Sequence, residues 1–539
     1  NRCSSATILL SQCSGTGAIS TAAAAQATGA NLVDYLRGSR TLELSAASAD
    51  NRVFRTRTQL LGDLVNAAPV YAGKPPFGYA DAGYASYAAA QASRTKVLYV
   101  AANDGMLHAF KVDTAANGGG TELWAYVPTA VIPELWRLAD RNYANNHRYF
   151  VDATPVVADV YDAATSQWRT ILVGGLGAGG RTYYALDVTN PTSPTLLWEF
   201  GQTAAVGSSF GRFVADSNLG LSLGNPIITK NAAGTWVVAF SSGVNNVSPG
   251  DGNGRLFVVN ALTGAKVAEL ETKIGTTPAG DSSTPSNLMR INAWIANDSD
   301  NTALRFYGGD LLGNLWRFDT DNRVPPAGTE ARLLGQARAA DNTTIQPITT
   351  KPVLTEIRAG TGKVAVVAFG TGRFLDESDL SDATLQSIYA VKDSLTDLGD
   401  TGLGVLRSNA ANLVKQTLGS NRRITTPASV DWTAKNGWYV DLDQSARERV
   451  VVDGLPLANG VLAFASSIPV TAMCTAGGTA YLYQFDLGLG TVLDGKGYDS
   501  LISGLGRITA PDLKVLVTLK KGPPETTTVT TFGGTPPLP

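Results

Sequence analysis

The residues best placed to do chemistry lie in one short acidic run, Asn297-Asp298-Ser299-Asp300-Asn301, directly ahead of Thr302 and the apolar stretch LRFYGGD. Asp298, Asp300 and Thr302 put side-chain oxygens at alternate positions, the arrangement by which a loop wraps a hard cation. Calcium takes about six to eight oxygens, and two carboxylates with a hydroxyl leave the rest to backbone carbonyls and water. Calcium binding is therefore expected to be weak or absent, near the millimolar end of the range for extracellular modules. The competing reading is a polar turn between two strands, with Asp and Asn bonding nearby backbone, and it is the favoured one. Asn301 stands at the bend, where Asn tolerates positive φ better than most residues.

Other polar groups offer less. The loop SGVNNVSPGDGNGR (242–255) carries Asn245, Asn246, Asp251 and Asn253, but such Gly/Asn/Ser/Pro clusters are ordinary turn chemistry, and an insertion is the favoured reading. GGLGAGGR (174–181) has two Gly-x-Gly pairs without the Lys-Ser/Thr and following helix of a phosphate loop, which favours a tight turn. His108 and His147 are the only histidines, and neither stands in a nucleophile motif. His108 sits in a strand repeat, where a hydrogen-bonded structural histidine is expected. Arg55, Arg57 and Asp63 are expected to form ion pairs around the turn LLGD. Tyr79, Tyr84 and Tyr87 form either an adhesive patch or anchors for a long loop.

Composition bounds what could position these groups. The 539 residues are 44% hydrophobic and 16% charged, with 57 glycines, the balance of a chain of short strands and turns. The net charge is −2, and the 43 Lys and Arg residues form no dense basic run, so nucleic acid is not an expected partner. No apolar stretch is long enough to cross a bilayer as a helix. Asn1 in place of an initiator Met suggests a processed chain or a fragment. Of three cysteines, Cys3 and Cys13 are close enough to close a small loop, and Cys474 is left over or lacks its partner. No Cys/His metal pattern is present.

The positioning elements are repeated hairpins. Six times an apolar strand ending in small residues is followed by a Gly-containing turn and a second strand closing on Asp or Asn. Examples are VLYVAANDGMLHAFKVD (97–113), RTILVGGLGAGGRTYYALD (169–187) and LRFYGGDLLGNLWRFD (304–319). Period-two alternation in YYALD, LWRFD and YLYQFD marks strands with two faces. The closing residues recur about 60 to 95 positions apart, longer than the usual propeller repeat, which calls for long loop insertions. These repeats predict an all-β fold, a modified β-propeller over residues 51–520, with Trp124, Trp198 and Trp316 buried between sheets. A seventh blade would need N-terminal strands before Tyr99 and the chain after Lys514. Residues 1–50 read as an extension with a short helix at 30–38, Leu32, Tyr35 and Leu36 on one face. Residues 521–539 read as a Pro/Thr-rich tail or linker.

Several of these segments resemble one family. FRTRTQLLGDLVNAAPVY (54–71), YVAANDGMLHAF (99–110), FVDATPVVADVY (150–161), GDLLGNLWRFD (309–319), FGTGRFL (369–375) and GWYVDLDQSARERVV (437–451) are similar, in order, to the C-terminal domain of PilY/PilC-type pilus tip-associated proteins. The resemblance covers roughly residues 30 to 515. It implies a seven-bladed propeller that follows a von Willebrand factor A-like region. It also implies roles in type IV pilus assembly against retraction, adhesion and twitching motility. The implied partners are minor pilins or other pilus components and a host or abiotic surface. The implied route is export through the periplasm to the pilus tip.

The family also carries a calcium loop at this place in the chain. Counting back from Gly309-Asp310, its first ligand position falls on Ala296 and its ninth on Leu304, so two donors are lost while Asp298, Asp300 and Asn301 match. Quinone-dependent dehydrogenase propellers share the strand-turn-strand style, but their adjacent cysteine pair is absent, and neither quinone nor enzymatic activity is expected. A periplasmic assembly scaffold is the third reading, disfavoured by the elaborate loops.

Overall fold

The six hairpins read from the sequence are the second and third strands of six antiparallel sheets. The computed structural model describes the chain except residues 1, 4–7, 45–50, 203–211, 296, 326–327, 329, 409–412, 421, 425, 458–459, 471–477, 489 and 491–539. The first sheet comprises Val70–Ala72, Val97–Ala102, Met106–Lys111 and Glu122–Tyr126. The second comprises Val156–Asp162, Gln167–Gly175, Thr182–Asp187 and Thr195–Gly201, with Phe213–Ala215 added in parallel. The third is Ile227–Lys230, Trp236–Ser241, Arg255–Asn260 and Lys266–Glu271. The fourth is Ile291–Ile295, Ala303–Gly309, Asn314–Asp319 and Glu330–Gln336. The fifth is Val353–Ala359, Gly362–Gly370, Ser387–Asp393 and Gly437–Asp441, with Val414–Gln416 in parallel. The sixth is Leu455–Leu457, Val461–Pro469 and Gly478–Asp486.

Each sheet is stacked on the next through its own apolar layer. Tyr99 and Leu107 meet Leu172 and Tyr184 between the first and second sheets. Ile171 and Trp198 meet Phe240 and Phe257 between the second and third. Val237 and Leu256 meet Phe306 and Trp316 between the third and fourth. Tyr307 and Leu315 meet Phe369 and Tyr389 between the fourth and fifth, and Val366 and Trp438 meet Phe464 and Phe485 between the fifth and sixth. First strands also touch first strands, as in Val70–Ala72 with Val156–Asp162 and Val353–Ala359 with Leu455–Leu457. Sheets that bury both faces against their neighbours, with first strands side by side, are radial blades, because large side chains on both faces supply about 2 kcal/mol each on burial.

Four of the closing residues work as their type predicts. Asp187 accepts from the Thr189 N–H, Asn260 from Leu262 and Thr263, Asp319 from Asp321, Arg323 and Val324, and Asp393 from Leu395. Of the expected tryptophans, Trp198 and Trp316 are fully buried. Trp124 is only half-buried, because its strand is the open edge of the first sheet, whereas the strands of Trp198 and Trp438 are each flanked by a further parallel strand. The expected helix runs Gly29–Leu36, capped by the Thr28 hydroxyl, and buries Leu32 and Tyr35. With Leu10 and Phe54 it packs on Ala139 and Trp136, outside the sheets. Cys3 and Cys13 are joined by a disulfide. Cys474, the chain after Lys514 and the 521–539 tail lie outside the described residues, as does much of what a seventh blade would need.

In four antiparallel strands, the turns after the first and third open at one rim and the turn after the second at the opposite rim. That rule divides the loops. The insertion 73–96, carrying the helix Tyr84–Ala90, shares a rim with the hairpin loop 297–302. The turn at Asn103–Gly105 and the loop 242–254 lie at the other.

Candidate functional site

The acidic run forms the turn between Ile291–Ile295 and Ala303–Gly309. Asn297 nucleates it, its Oδ1 accepting the Asp300 N–H at 2.8 Å and the Ser299 hydroxyl at 2.7 Å. Asn301 takes φ +53°, as its place at the bend requires. Asp298 is exposed. Ala296, the first ligand position by family register, lies outside the described residues.

Asp300 faces inward onto a cation that belongs to the chain. Lys230, the last residue of the third sheet's first strand, places its ammonium 2.8 Å from Asp300 and 2.8 Å from Asp81. Its side chain is 7% exposed. Burial pushes the ammonium toward neutrality, but the hydrogen bonds to Asp300 and Asp81 outweigh it and hold the Lys230 pKa above its usual value. The same contact holds the Asp300 carboxyl below the usual carboxylate range. Backbone bonds complete the join: the Asn301 carbonyl accepts from the Lys230 N–H at 2.9 Å and the Thr229 hydroxyl at 2.7 Å, and the Ser299 carbonyl accepts from the Ala80 N–H at 2.8 Å. The Asn301 amide donates to the Tyr79 hydroxyl at 3.2 Å.

Tyr79 and Asp81 belong to the insertion 73–96, and its aromatics are anchors. Tyr79 and Tyr84 are buried, with ring centroids 5.3 Å from Trp236 and 4.7 Å from Trp168 respectively. Tyr84 donates to Asp159 at 2.8 Å, and Tyr87 pairs with the Thr170 hydroxyl at 2.6 Å. Burial raises the Asp159 pKa despite these bonds. Of the two readings the sequence left open for Tyr79, Tyr84 and Tyr87, the loop anchor is the one formed.

The remaining polar candidates make structural contacts. Asp251 clasps Arg255 at 2.6 Å, the Asn246 amide donates to the Asn253 carbonyl at 2.7 Å, and the Asn287 side chain accepts from the Asn245 N–H at 2.6 Å. In GGLGAGGR, the N–H groups of Leu176 and Gly177 that a phosphate would need donate to the Ser222 hydroxyl at 2.8 and 3.1 Å. His108 bridges Glu122 at 2.6 Å and Asp104 at 3.1 Å. His147 holds Asp63 at 3.0 Å. The expected pairing of Arg55 and Arg57 with Asp63 is not formed. The chain at 53–57 runs back along the N-terminal helix, so Arg57 pairs with buried Glu43 at 2.7 Å and stacks on Tyr35, while Arg55 donates to the Leu138 carbonyl.

A cleft of about 530 Å³ opens between the outer strands Lys266–Glu271 and Glu330–Gln336. Its carboxylates are also paired: Glu269 and Glu271 share Arg255, and Glu330 holds Arg332. A smaller cavity of about 190 Å³ lies under the loop Thr58–Asp63, beside Tyr35 and Asp104, and above it Leu60, Leu61, Leu64 and Val65 are exposed. Lys230 and Asp81 escaped sequence reasoning altogether. Neither lies in a motif, and the only hint was a lysine closing an otherwise apolar strand, IITK.

The comparisons with known proteins agree with this architecture. A family model described as the PilY1 beta-propeller domain matches residues 61–430. The type IV pilus biogenesis factor PilY1 homolog of Xylella fastidiosa strain Temecula1 is 33% identical over 515 residues, 90% of this chain and 38% of that protein. The type IV pilus biogenesis factor PilY1 of Pseudomonas aeruginosa strain PAK is 30% identical over 509 residues, 86% of this chain and 40% of that protein. The chain thus spans about two fifths of the length of the curated relatives it matches. The crystal structure of the Pseudomonas aeruginosa PilY1 C-terminal domain matches with a TM-score of 0.59 at 27% identity, covering 78% of this chain and 86% of that one. On the family model and these relatives, the chain belongs to the PilY1 β-propeller family.

Proposed function

We propose that this chain is the propeller part of an exported, non-enzymatic type IV pilus biogenesis factor that works by binding at the pilus tip. The observation that carries the reading is the alignment with named pilus biogenesis factors over 90% and 86% of the chain. The fold supports it: blades form a rigid frame, and loops on such a frame are where binding surfaces sit. In this role the domain engages minor pilins or other pilus components on one side and a host or abiotic surface on the other. It favours assembly over retraction, and twitching motility and attachment depend on it. The route runs through the periplasm to the cell surface. Among the described residues no helix is long and apolar enough to cross a membrane. No quinone takes part.

The test is a clean in-frame deletion of this segment from the full-length protein. Surface pili and twitching zones should both fall, and pili should return when the retraction motor is also removed. Normal piliation and normal motility in a strain without a second homologue would falsify the proposal. Dehydrogenase turnover by the purified protein with added quinone would favour the enzyme reading instead.

A further inference from the structure

We infer that the Lys230 ammonium has taken the place of a metal ion in the hairpin loop Asn297–Asn301, so that a residue of the chain itself fastens the loop. Two carboxylates from distant segments, Asp81 in the 73–96 insertion and Asp300 in the loop, converge on one point, and Lys230 Nζ stands there at 2.8 Å from each. Converging carboxylates are what a metal loop provides for a divalent ion, and here they meet a monovalent cation covalently tied to the third sheet. The strand holds the Lys230 backbone beside the loop, because its N–H is bonded to the Asn301 carbonyl.

Several other loop oxygens already carry hydrogen bonds, so the further ligands of any cation here would be water and the free lone pairs of Asp81 and Asp300. The Asn301 carbonyl already accepts two donors, the Ser299 carbonyl accepts the Ala80 N–H, and Asn297 Oδ1 accepts from Asp300 and Ser299. Asn301 turns its amide nitrogen toward Tyr79, so it presents a donor there. Asp298, the remaining carboxylate of the run, is exposed. A dication could enter only by expelling the ammonium, and its charge would repel the ammonium left beside it. The consequence is mechanical. The insertion of the first sheet, the inner strand of the third and the hairpin of the fourth are joined permanently, with no dependence on the calcium level outside the cell.

The test compares thermal melting of the purified domain in chelator and in millimolar calcium, for the native sequence, Lys230→Met and Lys230→Met/Asp300→Asn. The native protein should melt at the same temperature in both. Lys230→Met should melt lower in chelator and regain stability with calcium, because Asp81 and Asp300 then face a vacant cation position. The double variant should lose that response. If Lys230→Met does not fold in chelator, its refolding yield on adding calcium is the readout, and rescue is expected. A calcium-dependent melting shift in the native protein that Asp300→Asn abolishes would overturn the inference. So would a Lys230→Met protein indifferent to calcium.

Discussion

Trp198 on the fourth strand of the second sheet donates its indole N–H to the Ala261 carbonyl, 2.9 Å away in the turn that follows the third strand of the third sheet. The bond recurs between other sheets: Trp124 donates to Pro191 and Trp438 to Leu487, both at 2.8 Å. Glycine makes the approach possible. A Cβ on Gly264, at φ +70°, would lie 2.7 Å from Trp198 Cγ, and Gly490, at φ +63°, stands in the same relation to Trp438. An outer-strand tryptophan thus latches one blade to the next, adding direction to a contact that apolar packing alone leaves free to slide.

The latch sets the first expectation. Trp198→Phe keeps most of the apolar contact but leaves the buried Ala261 carbonyl without its donor, a loss of about 1–3 kcal/mol. Urea unfolding of the purified domain measures it. A change below about 0.5 kcal/mol, the range of a neutral surface substitution, would show that the indole nitrogen contributes nothing.

What the sequence made legible, and what it hid, follows from how local each signal is. Runs such as YYALD and LWRFD declare themselves because alternation is imposed residue by residue by the two faces of a buried strand. The first strands Val70–Ala72 and Leu455–Leu457 did not, being three residues long and not buried. Asp300 and Asn301 were readable as a turn because Asp and Asn act on their own backbone. Lys230 was not readable as their partner, because only the stacking of the third sheet beside the fourth brings that strand end to the loop. Arg57 misled for the same reason: a nearby Asp63 was the local choice, and the segment after the N-terminal helix supplied Glu43 instead.

Asp310 gives the second expectation. It is fully buried in the turn after Ala303–Gly309 and accepts from the Asn314 N–H at 2.8 Å, the Asn314 amide at 2.9 Å and the Trp316 indole at 2.8 Å. Burial outweighs these donors and raises its pKa from 3.8 to about 6. The folded state therefore holds a proton that the unfolded chain has released, so stability is greatest below the unfolded value and falls as pH rises toward about 6. The full span corresponds to about 3 kcal/mol. Relative to Asp310→Asn, the denaturation midpoint of the native protein should decline across that window. An equal decline in both would place the titration elsewhere.

His108 gives the last. Burial disfavours its imidazolium, but Asp104 on one ring nitrogen and Glu122 on the other together outweigh that and raise its pKa above the usual 6.5. Both ring nitrogens then donate, which fits two carboxylate neighbours better than either neutral tautomer does. A raised pKa means the folded state keeps the proton longer than the unfolded chain. The contribution is complete below the unfolded value and is lost as pH climbs through the folded one, opposite to a carboxylate whose pKa is depressed. Asp104 also accepts the Gly62 N–H at 2.8 Å, so one carboxylate ties His108 to the loop that carries Leu60 and Leu61. Relative to His108→Gln, the native protein's stability should decline as pH rises from the usual 6.5 through the raised value. NMR titration of the His108 ring, assigned by its absence in His108→Gln, should give a midpoint above that of the free side chain. A midpoint at or below the free value would mean that burial, and not the two carboxylates, sets the charge of this histidine.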